Sequence, residues 1–89
     1  MSNVQANPEE LEAFANKLIQ FLETVSDATS SLTGSFNSLC DTWRDEKRDA
    51  FEEDYNEFLN TLERFKENST EKAEYLRVLS SRLRDYLES

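Results

Sequence analysis

Along residues 51–86, large apolar side chains recur at alternating steps of four and three. Phe51, Tyr55, Phe58, Leu62 and Phe65 open the run, and Leu76, Leu79, Leu83 and Tyr86 close it. That spacing returns each side chain to one face of a 3.6-residue helix. A strand would need a period of two, and a β-rich fold would need turn residues. The chain has one glycine and one proline, and neither occurs after residue 34. The run is less apolar at Ser69 and Lys72, and a polar interruption of a seam can set register at some cost in stability. The pattern predicts one helix over 46–87, about 60 Å long at the usual rise per residue, with Phe58 and Leu62 at the centre of its seam.

The first half repeats the pattern through Leu11, Phe14/Ala15, Leu18, Phe21/Leu22, Val25, Ala28, Leu32, Phe36 and Leu39. Its start is marked by Asn7-Pro8-Glu9-Glu10. Asn is a strong N-cap, Pro suits the first helical position, and two acids favour the positive end of the helix dipole. Residues 1–6 are small and polar and are expected to be disordered. The predicted helix spans 8–40. Its weak zone is Thr29 to Ser35, where Gly34 costs about 1 kcal/mol relative to Ala. Small residues there either admit a neighbouring backbone or mark a kink. The persistence of Leu32, Phe36 and Leu39 favours a continuous helix.

The break, residues 41–45, contains the sole tryptophan, Trp43. Thr42 and Asp45 have capping-box spacing. Asp45 is the better N-cap for a helix starting at Glu46, and it leaves Trp43 free to lie across the end. Two long helices on a short link fold back as an antiparallel hairpin. The hairpin would carry Phe14, Phe21, Phe36, Phe51, Tyr55, Phe58 and Phe65, more aromatic surface than two helices can cover. Soluble monomers rarely expose such a strip. The expected architecture is therefore all-α: a single hairpin domain dimerising into a four-helix bundle. Leu18, Phe21, Val25, Phe51, Tyr55, Phe58, Leu62 and Phe65 form its dimer and hairpin core. The partner is a second copy or a related hairpin.

Several function classes are disfavoured. Net charge is −9, which opposes binding to nucleic acid or to an anionic membrane. The chain has no histidine and one cysteine, so no disulfide within the chain, no metal site and no cofactor is expected. Cys40 reads as a small hydrophobe, or as a residue able to cross-link two subunits. The acid clusters Glu9/Glu10 and Glu52/Glu53/Asp54 hold neighbours that do not face one site, so catalysis is not expected. No apolar run is long enough for a membrane span. Met1 to Ala6 does not read as a classical signal peptide. Arg48/Glu52 and Arg84/Glu88 are expected to pair along the helix surface.

Trp43 in the turn, Ala50 and Phe51 seven and eight residues on, Tyr55 continuing the stripe, and the Asn-Pro-Glu-Glu-Leu start together resemble the WXG proteins. These are helical hairpins of about a hundred residues handled by type VII (ESX-like) secretion systems. The resemblance runs over nearly the whole chain. It implies a secreted effector, adaptor or co-secreted partner, held as a homodimer or heterodimer. Such a protein is cytoplasmic before export and leaves without a classical signal peptide. It also implies that Trp43 and Asp45 serve partner recognition, with a secretion ATPase as one possible partner. Two positions depart from the family pattern. Asp45 stands where the family has glycine. The family's Tyr-x-x-x-Asp/Glu export motif is not found, since Leu59 and Leu79 follow Tyr55 and Tyr75 at the fourth place. The alternative is a cytosolic scaffold that binds a larger protein and is not exported.

Overall fold

The computed structural model describes residues 5–88 as two helices, α1 (Pro8–Leu39) and α2 (Glu46–Glu88), folded back on each other. The first four residues of the stretch expected to be disordered lie outside the described residues. Asn7 is extended, and its side-chain oxygen accepts from the amides of Glu9 (2.8 Å) and Glu10 (3.3 Å). Two of the donors orphaned at the helix start are thus satisfied. At the far end the Cys40 amide donates to the Phe36 carbonyl (3.0 Å), and the Trp43 amide to that of Leu39 (2.9 Å). Thr42 Oγ1 also donates to the Leu39 carbonyl (3.3 Å). Thr42 therefore finishes α1 while Asp45 starts α2. Asp45 Oδ1 accepts from the amides of Lys47 (3.0 Å) and Arg48 (3.1 Å).

The weak zone stays helical. Thr29 Oγ1 donates to the Val25 carbonyl one turn back (2.6 Å). A methyl group on Gly34 would meet nothing within 4 Å, so no close approach within the hairpin requires a glycine there. Gly34→Ala is expected to stabilise the protein by about 0.5–1 kcal/mol. The check is urea unfolding followed by circular dichroism. A loss of stability would mean that Gly34 accommodates a contact made outside this chain.

The seam between the helices is narrow. From α1 it takes Ala15, Leu22 and Phe36, and from α2 it takes Tyr55, Ser69, Ala73 and Ser80. Two long-range hydrogen bonds set the register. Ser80 Oγ donates to the Pro8 carbonyl (2.7 Å), and the Thr33 and Tyr55 hydroxyls share a bond of 2.7 Å. Pro8 to Thr33 and Tyr55 to Ser80 are stretches of equal length, so the helices run in step. The same register sets Ala15 opposite Ala73, and both are fully buried. Small residues at facing positions let the axes approach closely. Cross-helix polar pairs flank this contact, Arg84 to Glu12 (2.9 Å) and Arg77 to Asn16 (3.0 Å). The expected pairs Arg48/Glu52 and Arg84/Glu88 are not the ones formed. Arg84 turns across to Glu12, and Arg48 takes its neighbour Asp49 (3.0 Å). A carboxylate on the facing helix competes for Arg84 in a way that surface spacing does not reveal.

The hairpin is a rod of 66 × 21 × 14 Å, one helix thick. Its radius of gyration is 20.0 Å, against about 12 Å for a compact chain of this length. It exposes 7025 Å², where a compact folded monomer of this mass would expose about 5,400 Å². The expected core set divides accordingly. Tyr55 is buried, while Leu18, Val25 and Leu62 are half-buried. Phe21 (53% exposed), Phe51 (47%), Phe58 (47%) and Phe65 (45%) are not in the hairpin core. Phe58 is thus not at the seam centre, although Leu62 adjoins it. The four-and-three stripe of α2 is in fact two rows of seven-residue period. The row of Tyr55, Leu62 and Ser69 faces α1, and the row of Phe51, Phe58 and Phe65 points to one side.

Candidate protein-interaction face

Near the turn, outward-facing residues of both helices come to the same side of the rod. There they border an open groove of about 470 Å³, lined by Leu32, Ser35, Leu39, Phe51 and Phe58 over a floor of Phe36 and Tyr55, with Asp54 at its margin. α1 supplies Leu32 and Leu39 because they follow Val25 at seven-residue steps, so each recurs on the same edge. A second groove at the helix junction is bordered by Ser26, Ser30, Thr33, Asn37, Glu63 and Lys66 together with Leu59 and Leu62.

An aromatic chain runs down the apolar side. Trp43 lies 5.9 Å from Phe51, Phe51 5.6 Å from Phe36, Phe36 5.0 Å from Tyr55, and Tyr55 6.2 Å from Phe58, all measured between ring centroids. These separations are in the range where aromatic pairs attract beyond area burial. Trp43 is half-buried and forms the turn-end terminus of the aromatic chain. The turn hydrogen bond from its amide to Leu39 holds it over the end of α2.

Asp45 is exposed and spends a carboxylate oxygen on capping α2. Close by, the Arg48 guanidinium is held above the ordinary arginine pKa, first by its hydrogen bond to Asp49 and then by one to Cys40. Cys40 is half-buried beside this pair. Among the described residues no group of three or more His, Cys, Asp or Glu is placed to hold a metal ion. No helix among them is long and apolar enough to cross a membrane.

Of the candidate recognition residues, the fold brings Trp43 against Phe51, and Asp45 caps the start of α2. Leu32 and Leu39 were legible only as members of a stripe. A count at steps of seven would have set them apart from Phe36, which faces inward.

One family model matches this chain. The model for WXG100, "Proteins of 100 residues with WXG", matches residues 3–86. The chain belongs to the WXG100 family. No curated protein and no solved structure matches it. WXG100 proteins are small helical proteins associated with type VII secretion, and they generally form dimers. In this member the family's Trp-x-Gly is Trp43-Arg44-Asp45. The exchange is accommodated because the third position is a helix N-cap, which both Gly and Asp fill well. The turn does not call on glycine's special backbone freedom, since no described residue has positive φ.

Proposed function

We propose that this WXG100 hairpin is one half of a four-helix bundle, exported as cargo or co-exported as a partner by a type VII secretion system. The observation that carries this reading is the position of the family tryptophan. Trp43 ends the aromatic chain at the turn, so it flanks the apolar side that a second hairpin would cover and stays available to a further partner. The excess area supports the pairing. About 1,600 Å² beyond a compact monomer's surface is ample for a stable interface, which takes roughly 800 Å² per partner. The bundle gives the exposed Phe21, Phe51, Phe58 and Phe65 the cover that the hairpin lacks. Trp43 and Asp45 then present the turn to the secretion ATPase.

Leu59 and Leu79, at the fourth place after Tyr55 and Tyr75 where the family's export motif has an acid, favour a second reading, that of a cytosolic adaptor pairing with a larger protein. A single experiment separates the two. The native chain is followed by immunoblot in culture medium and cell lysate, with and without the secretion ATPase. Appearance in the medium that depends on the ATPase supports export. Retention in the lysate under both conditions overturns it and leaves the adaptor.

A further inference from the structure

The packing between the two helices is interrupted halfway along. The buried row of α1 runs at seven-residue steps through Pro8, Ala15, Leu22 and Phe36. The place between Leu22 and Phe36 is Thr29, which is only half-buried. No residue of α1 from 23 to 35 is buried, and none of α2 from 56 to 68. By the Pro8–Ser80 and Thr33–Tyr55 register, Thr29 is level with Leu59, so the two gaps face each other. A groove of about 520 Å³ lies at this level, bordered by Thr29 and Gly34 on one helix and by Leu59 and Leu62 on the other.

The seam thus falls into two blocks. The turn block is Phe36 against Phe51 and Tyr55. The far block is Ala15, Leu22, Ser69, Ala73 and Ser80, with the polar contacts of Arg84, Arg77 and Ser80 across to α1. We infer that α1 is jointed at Thr29–Ser35, and that its first segment, residues 8–28, swings off α2 as a unit while the turn block stays closed. This property belongs to the hairpin itself and does not rest on the export and bundle readings above.

The local chemistry of α1 is weakest where the packing is weakest. Thr29, Ser30, Ser31, Thr33, Gly34 and Ser35 are poor helix formers, and Gly/Ser pairs are where helices bend sharply. Thr29 Oγ1 is turned back on the Val25 carbonyl (2.6 Å), an arrangement that loosens and bends a helix. A Cβ on Gly34 would meet nothing within 4 Å, so no neighbour braces the backbone there. Across the gap α2 is different. Glu57, Leu59, Leu62, Glu63, Arg64 and Lys66 are strong helix formers, and Lys66 pairs with Glu63 (3.2 Å). α2 therefore stays whole as the spine.

Chain connectivity decides which segment moves. Residues 36–39 are tied to α2 by the short link of 40–45, so their contacts re-form at little entropic cost. The Thr33–Tyr55 hydroxyl bond pins the turn side of the joint to the spine. Residues 8–28 are attached only through the joint, and the far block alone holds them down. Once released, a helix this short is marginal in water, so it loses the protection of its amides together with its contacts. A few residues absorb the change in backbone angles, as in other hinges. Opening uncovers Ala73, Leu76 and Ser80 of α2 and leaves Trp43 and Asp45 in place. The chain can change shape at one end without disturbing the turn at the other.

The test is hydrogen exchange read by mass spectrometry on the full chain, over a dilution series that separates opening from pairing. Circular dichroism confirms the helicity of each variant. The amides of 12–28 should share one opening, with a step in protection at 29–35, and those of 46–66 should exchange at least about tenfold more slowly. Ser80→Ala removes the bond to Pro8 and should speed exchange of 12–28 about fivefold while leaving 46–66 unchanged. Ser30→Ala, Ser31→Ala and Gly34→Ala together join the two segments into one strong helix. That variant should slow exchange of 12–28 at least about fivefold and change 46–66 by less than about twofold. A smooth rise in exchange toward Pro8, with no step, is end fraying and overturns the joint. Exchange of 12–28 and 46–66 at one common rate overturns it too, as does a Ser80→Ala effect of equal size on both. Alanines in the joint that leave 12–28 unchanged overturn it as well.

Discussion

Phe36→Ala should lower the stability of the hairpin by about 3 kcal/mol and its melting temperature by about 12–24 °C. Phe36 is the largest apolar side chain that α1 buries, and it contacts both Phe51 and Tyr55. Removing its ring deletes two aromatic pairs and leaves a void between the helices near the turn. The expected cost is at the low end of the range for a buried phenylalanine, because the groove beside it is open and can partly collapse or fill with water. A loss of this size is a large share of the total, since small domains are stable by only about 5–15 kcal/mol. Phe14→Ala is the contrasting variant. Phe14 is 59% exposed and lies outside the hairpin seam, so its cost should grow with protein concentration, as expected for a side chain buried only on association. The measurement is thermal unfolding by circular dichroism at two concentrations. A Phe36→Ala melting point within 2 °C or so of wild type would show that the hairpin is held elsewhere along its length.

The second large effect is on recognition. Trp43→Ala should leave helicity and pairing largely intact while reducing export to background. The structural share of Trp43 is small. It touches the aromatic chain at one end, through Phe51, and one such pair contributes about 0.5–1.5 kcal/mol beyond area burial. The seam is held independently at Ala15/Ala73 and by the Ser80–Pro8 bond, far down the rod. Distant sites of this kind contribute nearly additively. A half-buried indole beside a groove is in contrast well suited to anchor a partner, and an anchor of this type carries about 2 kcal/mol or more of binding. That corresponds to roughly a thirtyfold loss of affinity. The assay compares helicity, sizing and appearance in culture medium for the two proteins. Collapse of fold and dimer together would make Trp43 an ordinary packing residue. Unchanged export would remove it from recognition.

Much of this is legible in the sequence alone. The four-and-three spacing, Asn7-Pro8-Glu9-Glu10 at one end, and the run free of Gly and Pro at the other determine two long helices. The break at 41–45 determines that they form a hairpin. These are local properties, set by which side chains recur on a helix face and which groups satisfy orphaned amides, and local order along the chain suffices to read them. What only the tertiary structure decided is which part of a broad apolar stripe faces inward. Phe21, Phe51, Phe58 and Phe65 were grouped with Tyr55 and Leu62, yet the hairpin closes on Ala15, Ala73 and Ser80 and turns the phenylalanines outward. Two helices pack most closely through small residues, and a hydroxyl that caps a distant carbonyl, as Ser80 does for Pro8, has no signature in hydrophobic spacing. The position of Trp43 at the edge of the apolar side was likewise beyond the sequence. It depends on the turn bond to Leu39 and on the direction in which Phe51 leaves α2, and both follow from how the helices meet.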